Sequence, residues 1–433
     1  MKGRLGITIA VGALVMFVWA APMSSQQAGG LNGDDQARFS TMLHAAYKDV
    51  KDYYFDPKLR GLEWEARYEK YKAMIGRARN VDDGLSIVAA FLSGLNDSHT
   101  YFIPPARANR FDSGYRSSVV GDNCFITHIR PGTEAAEKLQ VGDQVMALDG
   151  FKMSRADFHD ARYFFEILTP RAAEQLDLRS PLGAQRRVVV NGIVKPVMPG
   201  MDFWDRVRRQ EDVAHTTRSR VVELGDVAIW KLQRFAVEDE TVEKAIGKAR
   251  KHGTLILDLR GNPGGPEDTL KMIVGLLFDH DVKIGDRVER KETKPLVAKL
   301  RGSPFLGKLI VLVDGESASA AEILTRVVQL EHRGTVIGDR TAGAVMGAMF
   351  YRESTSLSGD VFYGFSVTVA DLIMKDGKSL EKTGVVPDEI VLPTGADLAA
   401  GRDPVLARAA ELAGVKLDAE AAGKMFPFEW API

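Results

Sequence analysis

The sequence predicts a multidomain α/β protein, because the pattern of apolar residues changes along the chain. Between residues 35 and 95, apolar side chains recur every three to four positions, as on one face of a helix. From residue 121, short apolar runs alternate with turn sequences, which is typical of a small β domain. Beyond residue 220, strand-like and helix-like stretches alternate as in an α/β domain. A chain of 433 residues is long enough for two or three such domains.

The first thirty residues have the order of a secretory signal peptide. Lys2 and Arg4 precede an apolar run at 7–21, which small and polar residues follow. This run of about 15 residues is shorter than the roughly 20 that a helix needs to cross a bilayer. We therefore expect a signal peptide over residues 1–28 and export to the periplasm or the cell exterior, with an uncleaved membrane anchor as the alternative.

Composition limits the possible partners and cofactors. Charged residues make up 27% of the chain and the formal net charge is -1, so no overall charge favours nucleic acid or an anionic membrane. Cys124 is the only cysteine, which excludes an intramolecular disulfide and a cysteine-rich zinc site. It lies in an apolar run, where we expect a buried structural thiol. We predict no metal and no cofactor.

The N-terminal domain is predicted to be helical over residues 35–110. Phe39, Leu43 and Val50 follow the helical spacing, and the apolar residues of 88–95 repeat it. The last helix is expected to end at the polar turn Asn-Asp-Ser-His that begins at position 96.

Residues 115–198 are predicted to form an inserted β domain. Strands at 124–129 and 144–148 flank a short helix at 134–139, and Pro-Gly, Val-Gly-Asp and Asp-Gly turns lie between and after them. This order resembles a PDZ domain, which binds an extended peptide by adding it to the edge of its sheet. An unrelated small β domain is the alternative.

Residues 220–415 are predicted to form the α/β core, after a polar and basic linker at 200–220. Short apolar runs between turn signals predict buried strands, and amphipathic stretches predict helices. The strands are expected at 227–232, 254–259, 309–313 and 335–338, and the helices at 242–251, 320–330 and 404–412.

The strand at 254–259 runs into a glycine-rich turn, Leu-Asp-Leu-Arg-Gly-Asn-Pro-Gly-Gly, over residues 257–265. So many glycines indicate that the backbone turns sharply or approaches a ligand closely. Its N–H groups are candidates for an oxyanion hole, which binds the negative oxygen of a tetrahedral intermediate. A plain tight turn is the alternative, although such a turn needs fewer glycines.

The strand at 309–313 passes through small residues into the helix at 320–330, and Ser319 lies at that junction. A serine at a helix N-terminus exposes its hydroxyl near the positive end of the helix dipole, which stabilises developing negative charge. Serine is also a common N-cap, so Ser319 is either a nucleophile or a cap. Ser317 is the second candidate for the cap.

A serine nucleophile needs a base, and histidine is the side chain best matched to neutral pH. Of the eight histidines, His99 stands out because it lies in the polar turn that ends the helical domain. A single histidine is more often structural, so its position alone leaves both roles open.

Together these segments resemble the tail-specific, or C-terminal processing, protease superfamily. The resemblance rests on the glycine-rich turn at 257–265, the Ser-Ala-Ser-Ala-Ala-Glu elbow at 317–322 and the Gly-Val-Val-Pro-Asp segment at 384–388, in the family's order. It covers nearly all of the chain after the signal peptide. It implies a crotonase-like α/β protease core with an N-terminal helical domain and an inserted PDZ-like β domain.

Two catalytic arrangements occur in this superfamily, and the sequence favours one of them. The bacterial processing type pairs the serine with a lysine in a Gly-Lys-Gly loop, but the corresponding loop here, at 339–345, has alanine at the lysine position. The tricorn-type branch uses a serine with a Ser-His pair and a glutamate, and Ser98-His99 matches that pair. A substitute lysine base, such as Lys382, is the less favoured interpretation.

The resemblance assigns each catalytic role to a residue of this chain. The nucleophile is Ser319 and the general base is His99. Orienting groups and oxyanion-hole donors complete the site, and they are Ser98, Glu381, the backbone N–H of Ala320 and that of Gly264 or Gly265. Glu322 is a rival for the orienting glutamate, but we expect it to point along its helix into a structural pair.

The resemblance implies an exported serine peptidase that hydrolyses peptide bonds through an acyl-enzyme. Its partners would be polypeptide substrates, with binding of their C-termini by the PDZ-like domain as a further expectation. The alternative is a non-catalytic protein that binds peptides or apolar ligands on the same scaffold. A PDZ adaptor with an inert second domain is weaker, because the glycine-rich turn has no role in it.

Overall fold

The computed structural model describes residues 31–197, 219–356 and 361–430. The expected signal peptide at 1–28 and nearly all of the expected linker at 200–220 lie outside the described residues. Within the described ranges, no helix is both long enough and apolar enough to span a bilayer.

Helices and strands are both abundant, which confirms the predicted α/β class. The helices are α1 (Gly33–Tyr53), α2 (Trp64–Ile75), α3 (Val81–Ser93), α4 (Glu134–Lys138), α5 (Phe158–Arg162), α6 (Asp239–Ala249), α7 (Glu267–Leu277), α8 (Ala320–Leu330), α9 (Gly395–Ala399), α10 (Pro404–Leu412) and α11 (Ala419–Gly423). The strands are β1 (Tyr101–Ile103), β2 (Asn109–Asp112), β3 (Tyr115–Val120), β4 (Asn123–Ile129), β5 (Gln144–Leu148), β6 (Phe151–Lys152), β7 (Ala173–Arg179), β8 (Gln185–Asn191), β9 (Ile193–Pro196), β10 (Arg220–Leu224), β11 (Val227–Lys231), β12 (Thr254–Asp258), β13 (Val282–Glu289), β14 (Thr293–Ala298), β15 (Lys308–Val313), β16 (Thr335–Gly338), β17 (Met346–Thr355), β18 (Val361–Met374) and β19 (Glu389–Ile390).

The N-terminal helices α1, α2 and α3 pack around a shared apolar core. Asparagine side chains cap two of them, because Asn32 accepts the N–H of Asp35 and Asn80 that of Asp83. The predicted limit of this helical domain at residue 110 is wrong. The helices end at Ser93, and β1 then pairs antiparallel with β18, more than 260 positions later in the chain. A pairing partner so distant leaves no local pattern in the sequence.

The inserted unit is a small sheet with strand order β3-β4-β5-β7-β8, to which β6 adds on β5. Strands β2 and β9 pair with each other at its two chain ends. Cys124 lies fully buried in the core of this unit, as expected, and burial raises the pKa of its thiol to about 12. The thiol therefore stays protonated and unreactive at neutral pH.

The core sheet has the order β10-β11-β12-β15-β16-β19 and is parallel from β11 to β19. Helices α6, α7 and α8 cover one face, and α10 and α11 cover the other. Because both faces are buried, the central strands carry nearly continuous apolar runs, which explains why they were readable in the sequence. The expected end of this core at residue 415 is too early, since α11 packs on the same face as α10.

The parallel sheet determines where functional groups converge. In open α/β sheets, ligands bind beyond the carboxyl ends of the strands. Here β12 and β15 are adjacent, and their carboxyl ends lead into the glycine-rich turn and the Ser319 elbow. A second sheet, with order β1-β18-β13-β14 and β17 also on β18, brings the chain that follows His99 to the same region.

The inserted unit is fixed against the core by close contacts. The Arg155 guanidinium forms an ion pair with Asp339, and the same carboxylate accepts the N–H of Gly121. At Gly142 a side chain is impossible, because a Cβ there would lie 2.1 Å from the carbonyl oxygen of Gly395. The β unit therefore packs directly on the loop that follows β16 and on α9.

Candidate active site

The glycine-rich turn lies directly against Ser319. Gly264 has φ +94, and a Cβ at this position would lie 2.7 Å from the Cβ of Ser319 and 2.8 Å from the Ala320 nitrogen. No side chain fits in so small a space, and the positive φ is strained for any residue that carries one. The group that the backbone of this turn approaches closely is the serine elbow itself.

A carboxylate joins this turn to the serine elbow. Asp314, the first residue after β15, accepts the N–H of Gly261 at 2.9 Å and that of Glu316 at 3.0 Å. Ser317 is fully buried and donates its hydroxyl to the Leu259 carbonyl at 2.9 Å. The suggestion that Ser317 caps the helix is wrong, because α8 begins at Ala320 and Ser319 holds the N-cap position.

Ser319 has a strained backbone, with φ 54 and ψ -119. A residue other than glycine in this region costs about 1–3 kcal/mol, and such conformations persist only where the surroundings impose them. The Ser319 N–H is held by the carbonyl of Ala344 at 2.9 Å and by the Glu322 carboxylate at 3.1 Å. Strain of this kind is common where a serine is presented sharply between a strand and a helix.

Glu322 supports the loop at 341–345, which we call the bridging loop. Its buried carboxylate accepts the N–H groups of Gly343 at 2.8 Å and Ala344 at 2.9 Å, and the hydroxyl of Thr341. Burial raises the pKa of Glu322 to about 7, although these hydrogen bonds oppose the shift. Glu322 therefore holds the elbow against the bridging loop, which differs from the pair along its own helix that the sequence predicted.

Glu381, Ser98 and His99 form one hydrogen-bonded chain. The Ser98 hydroxyl lies 2.6 Å from His99 Nδ1 and donates to Glu381 Oε2 at 2.9 Å. Glu381 Oε1 also accepts the Ser98 N–H at 2.7 Å, across 283 positions of sequence. Burial raises the pKa of Glu381, and the hydrogen bonds from Val345 and Ser98 counteract part of that rise.

The bridging loop connects this chain to Ser319. Its Ala344 carbonyl accepts the Ser319 N–H, and the next N–H, that of Val345, donates to Glu381 Oε2 at 2.9 Å. Within the described residues, no direct hydrogen bond joins the Ser319 hydroxyl to the His99 ring. In unliganded enzymes such contacts are often long and tighten only when substrate binds.

His99 is half-buried, and burial lowers the pKa of its imidazole to about 4. Two charges modify this effect: the Asp97 carboxylate raises the pKa, and the Lys382 ammonium lowers it. The ring is therefore neutral at physiological pH, which is the form that accepts a proton.

The expected oxyanion donors differ in their availability. The N–H of Gly264 donates to the Asn262 side chain at 2.8 Å, so Gly264 is wrong as a candidate donor. Asn262 is buried and its amide in turn donates to the Leu232 carbonyl, which fixes the turn. Within the part of the chain that the structure describes, no protein group accepts the N–H of Ala320 or Gly265.

Sequence reasoning missed the function of the bridging loop. The side chains of this loop show only that the lysine is absent, whereas its backbone N–H and C=O groups form the contacts in the structure. Backbone groups are the same in every residue, so composition carries no signal for them. Among the described residues, no cluster of three or more His, Cys, Asp or Glu could hold a metal ion.

Family models match two parts of the chain. Peptidase family S41 matches residues 226–391, and the tricorn protease C1 domain matches residues 35–89. A carboxyl-terminal-processing protease of Synechocystis sp. is 31% identical over 367 residues, which cover 81% of this chain and 80% of that protein. A tricorn protease homolog of Streptomyces coelicolor is 24% identical over 408 residues, or 88% of this chain.

The chain spans only 32% of the length of the Streptomyces relative. Among solved structures, mature CPAF superimposes with a TM-score of 0.64 at 15% identity, over 84% of this chain and 94% of that one. At that identity the likeness shows a shared fold.

The close approach of Gly264 to Ser319 can be tested by measuring the free energy of unfolding. Gly264→Ala should lower the free energy of unfolding by about 2 kcal/mol more than Gly261→Ala, because overpacking adds to the cost of a positive φ. Gly261 is the matched control, since it lies in the same turn with φ +69 and nothing within 4 Å of its Cβ position. Denaturant unfolding of both variants measures the difference, and equal losses would show that Gly264 does not touch Ser319.

Proposed function

The chain belongs to peptidase family S41, a family of serine-type peptidases, and on that premise we propose that it hydrolyses peptide bonds through an acyl-enzyme at Ser319 with His99 as general base. One observation carries the proposal: the Glu381–Ser98–His99 chain and the strained Ser319 are bonded to neighbouring residues of one loop. Strained residues cluster at functional sites such as active sites and ligand clamps, and the adjoining Glu381–Ser98–His99 chain favours an active site.

The hydrogen bonds determine which nitrogen of His99 acts as the base. An ionised Glu381 only accepts hydrogen bonds, so the Ser98 hydroxyl must donate to it. The Ser98 oxygen then accepts a hydrogen bond from His99 Nδ1, which therefore carries the ring proton. This leaves the lone pair on Nε2, the nitrogen available for the serine proton, in the manner of an Asp-His pair in other serine hydrolases.

Catalysis would follow the acyl-transfer sequence. The Ser319 oxygen attacks the peptide carbonyl while His99 Nε2 takes its proton, and the resulting imidazolium then protonates the leaving amine. The N–H groups of Ala320 and Gly265, with the N-terminal end of α8, would stabilise the oxyanion. Water, activated by the same imidazole, hydrolyses the acyl-enzyme and restores Ser319.

We further propose that substrates are polypeptides and that the inserted unit is a PDZ-like domain that binds their C-termini. Within the described residues, β3 is the last strand of its sheet and pairs only with β4, so its other edge is open to an extended peptide. A cavity of ≈ 410 Å³ lies along this strand and reaches Glu316, which directly precedes the serine elbow. Export to the periplasm or the cell exterior is part of the same proposal.

The mechanism predicts the effect of removing its two central groups. Ser319→Ala and His99→Ala should each reduce kcat at least about a thousandfold, because nucleophile and base act as one unit. Lys382→Met is the matched control for a lysine base and should stay within a few-fold of wild type. Mass spectrometry of unstructured polypeptides incubated with each variant measures cleavage. Wild-type cleavage by Ser319→Ala would remove Ser319 from the mechanism.

The low pKa of His99 predicts an unusual pH profile. The imidazole must be neutral to accept a proton, so activity should be full above its folded-state pKa and fall as pH drops through about 4. The charges that bear on the ring are Asp97, Lys382 and, through Ser98, Glu381. The acid limb of kcat/KM, measured after checking that the protein stays folded, should lie clearly below 6.5. A limb at 9–10 would indicate a lysine base.

A further inference from the structure

Asp97, which no assignment above includes, receives hydrogen bonds from four groups. Its Oδ1 accepts the N–H of His99 at 3.0 Å, the N–H of Thr100 at 2.7 Å and the hydroxyl of Thr368 at 2.8 Å. Its Oδ2 accepts the hydroxyl of Tyr54 at 2.8 Å. One carboxylate therefore holds the backbone that carries the histidine and two side chains from elsewhere in the fold.

The two hydroxyl donors come from different structural layers. Tyr54 follows α1 in the helical layer and Thr368 lies in the middle of β18, and both are fully buried. Thr100 adds a second link to β18, because its hydroxyl donates to the Thr368 hydroxyl at 3.0 Å and accepts the Thr368 N–H at 3.1 Å. Asp97 is thus the point at which helix, sheet and histidine loop are joined.

A local turn would not require this arrangement. An aspartate that merely stabilises a turn needs only the N–H groups two and three positions later, which Asp97 also binds. The hydroxyls of Tyr54 and Thr368 add constraints from outside the loop, and Arg60 holds the Tyr54 oxygen from its other side at 3.0 Å. These contacts fix the position of the loop relative to the sheet. They therefore also fix the point from which the His99 side chain extends.

The charge of Asp97 also acts on the imidazole. Its carboxylate favours the protonated ring, in opposition to burial and to Lys382. The protonated ring is the species that forms while Ser319 is being acylated, so a fixed negative charge nearby stabilises that transition state. Ser98 and Glu381 orient the ring through Nδ1, whereas Asp97 acts through the backbone and through space.

We propose that Asp97 is a positioning residue of the reaction, which places the His99 backbone and stabilises the imidazolium through its charge. The proposal rests on the proposed function, since it assigns Asp97 a role through His99. Asp97 itself touches no reacting atom, so its effect must appear in the behaviour of the histidine.

The test measures the labelling of Ser319 by a fluorophosphonate probe, a reaction that needs the base and does not depend on knowing the substrate. Asp97→Asn keeps an acceptor oxygen and removes the charge. It should lower the maximal labelling rate about tenfold, leave the half-saturating probe concentration unchanged and move the acid limb to lower pH. Asp97→Ala removes both acceptor and charge and should lower the rate about a hundredfold or more.

Two further variants separate position from charge and from general stability. Tyr54→Phe removes one donor but no charge, so it should slow labelling a few-fold with the acid limb unmoved. Asp418→Asn is the matched control, because this carboxylate also accepts a local N–H, that of Ala421, but caps the remote helix α11. It should label at the wild-type rate across the whole pH range.

The possible outcomes distinguish failure of the Asp97 proposal from failure of the proposed peptidase mechanism. The proposal is overturned if folded Asp97→Asn labels at the wild-type rate with an unmoved acid limb, or if its loss of rate tracks the unfolded fraction seen by circular dichroism. Were His99→Ala to label as fast as wild type, the base assignment itself would fail, and Asp97 with it. Slow labelling of His99→Ala with normal labelling of Asp97→Asn would reject Asp97 alone.

Discussion

Two partly or fully buried carboxylates hold the bridging loop, and the candidate site depends on that double attachment. Glu322 binds the N–H groups of Gly343 and Ala344 from the helix that follows the serine. Glu381 binds the next N–H, that of Val345, and on its other side carries Ser98 and His99. Three consecutive N–H groups thus connect the nucleophile's helix with the histidine's loop. Charge-assisted hydrogen bonds of this kind are stronger and shorter than neutral ones, which suits them to fixing geometry.

The same attachment explains how the molecule tolerates strain at Ser319. The strained backbone costs about 1–3 kcal/mol, which is a large fraction of a domain's net stability. The Ser319 N–H donates to both the Ala344 carbonyl and the Glu322 carboxylate. Relaxing the backbone would therefore break these two hydrogen bonds. Gly264 closes the other side, since its missing side chain lets the turn lie against the serine. The cost is therefore offset by contacts that also define the site.

Much of the fold was predictable because its signals are local. The strand at 335–338 and the helices at 320–330 and 404–412 match the structure at both ends, since buried parallel strands and amphipathic helices leave clear patterns. The polar turn marked the end of the last helix to within a few residues, but β1, which lies inside the predicted helical domain, was missed because it takes its partner from β18. Strand pairing between distant segments is a tertiary property, and no window of sequence contains it.

In the candidate site, motif residues could be named from the sequence, whereas backbone contacts and distant partners could not. Motifs pointed to Ser319, Ser98, His99 and Glu381, and the last three share one hydrogen-bonded chain. Gly264 was misjudged as a donor because its N–H is taken by Asn262, a contact set by the three-dimensional turn. The bridging loop was missed as a connector because it acts through backbone groups, and Asp97 because its hydroxyl partners lie in a distant helix and strand.

A crystal structure of the protein phosphonylated by a fluorophosphonate would test the central claim most directly. The proposed mechanism predicts phosphorus bonded to the Ser319 oxygen, His99 Nε2 within about 3 Å of that oxygen and the phosphonyl oxygen facing the N–H groups of Ala320 and Gly265. Phosphorus on another residue, or an imidazole turned away from an intact Glu381–Ser98 pair, would contradict it.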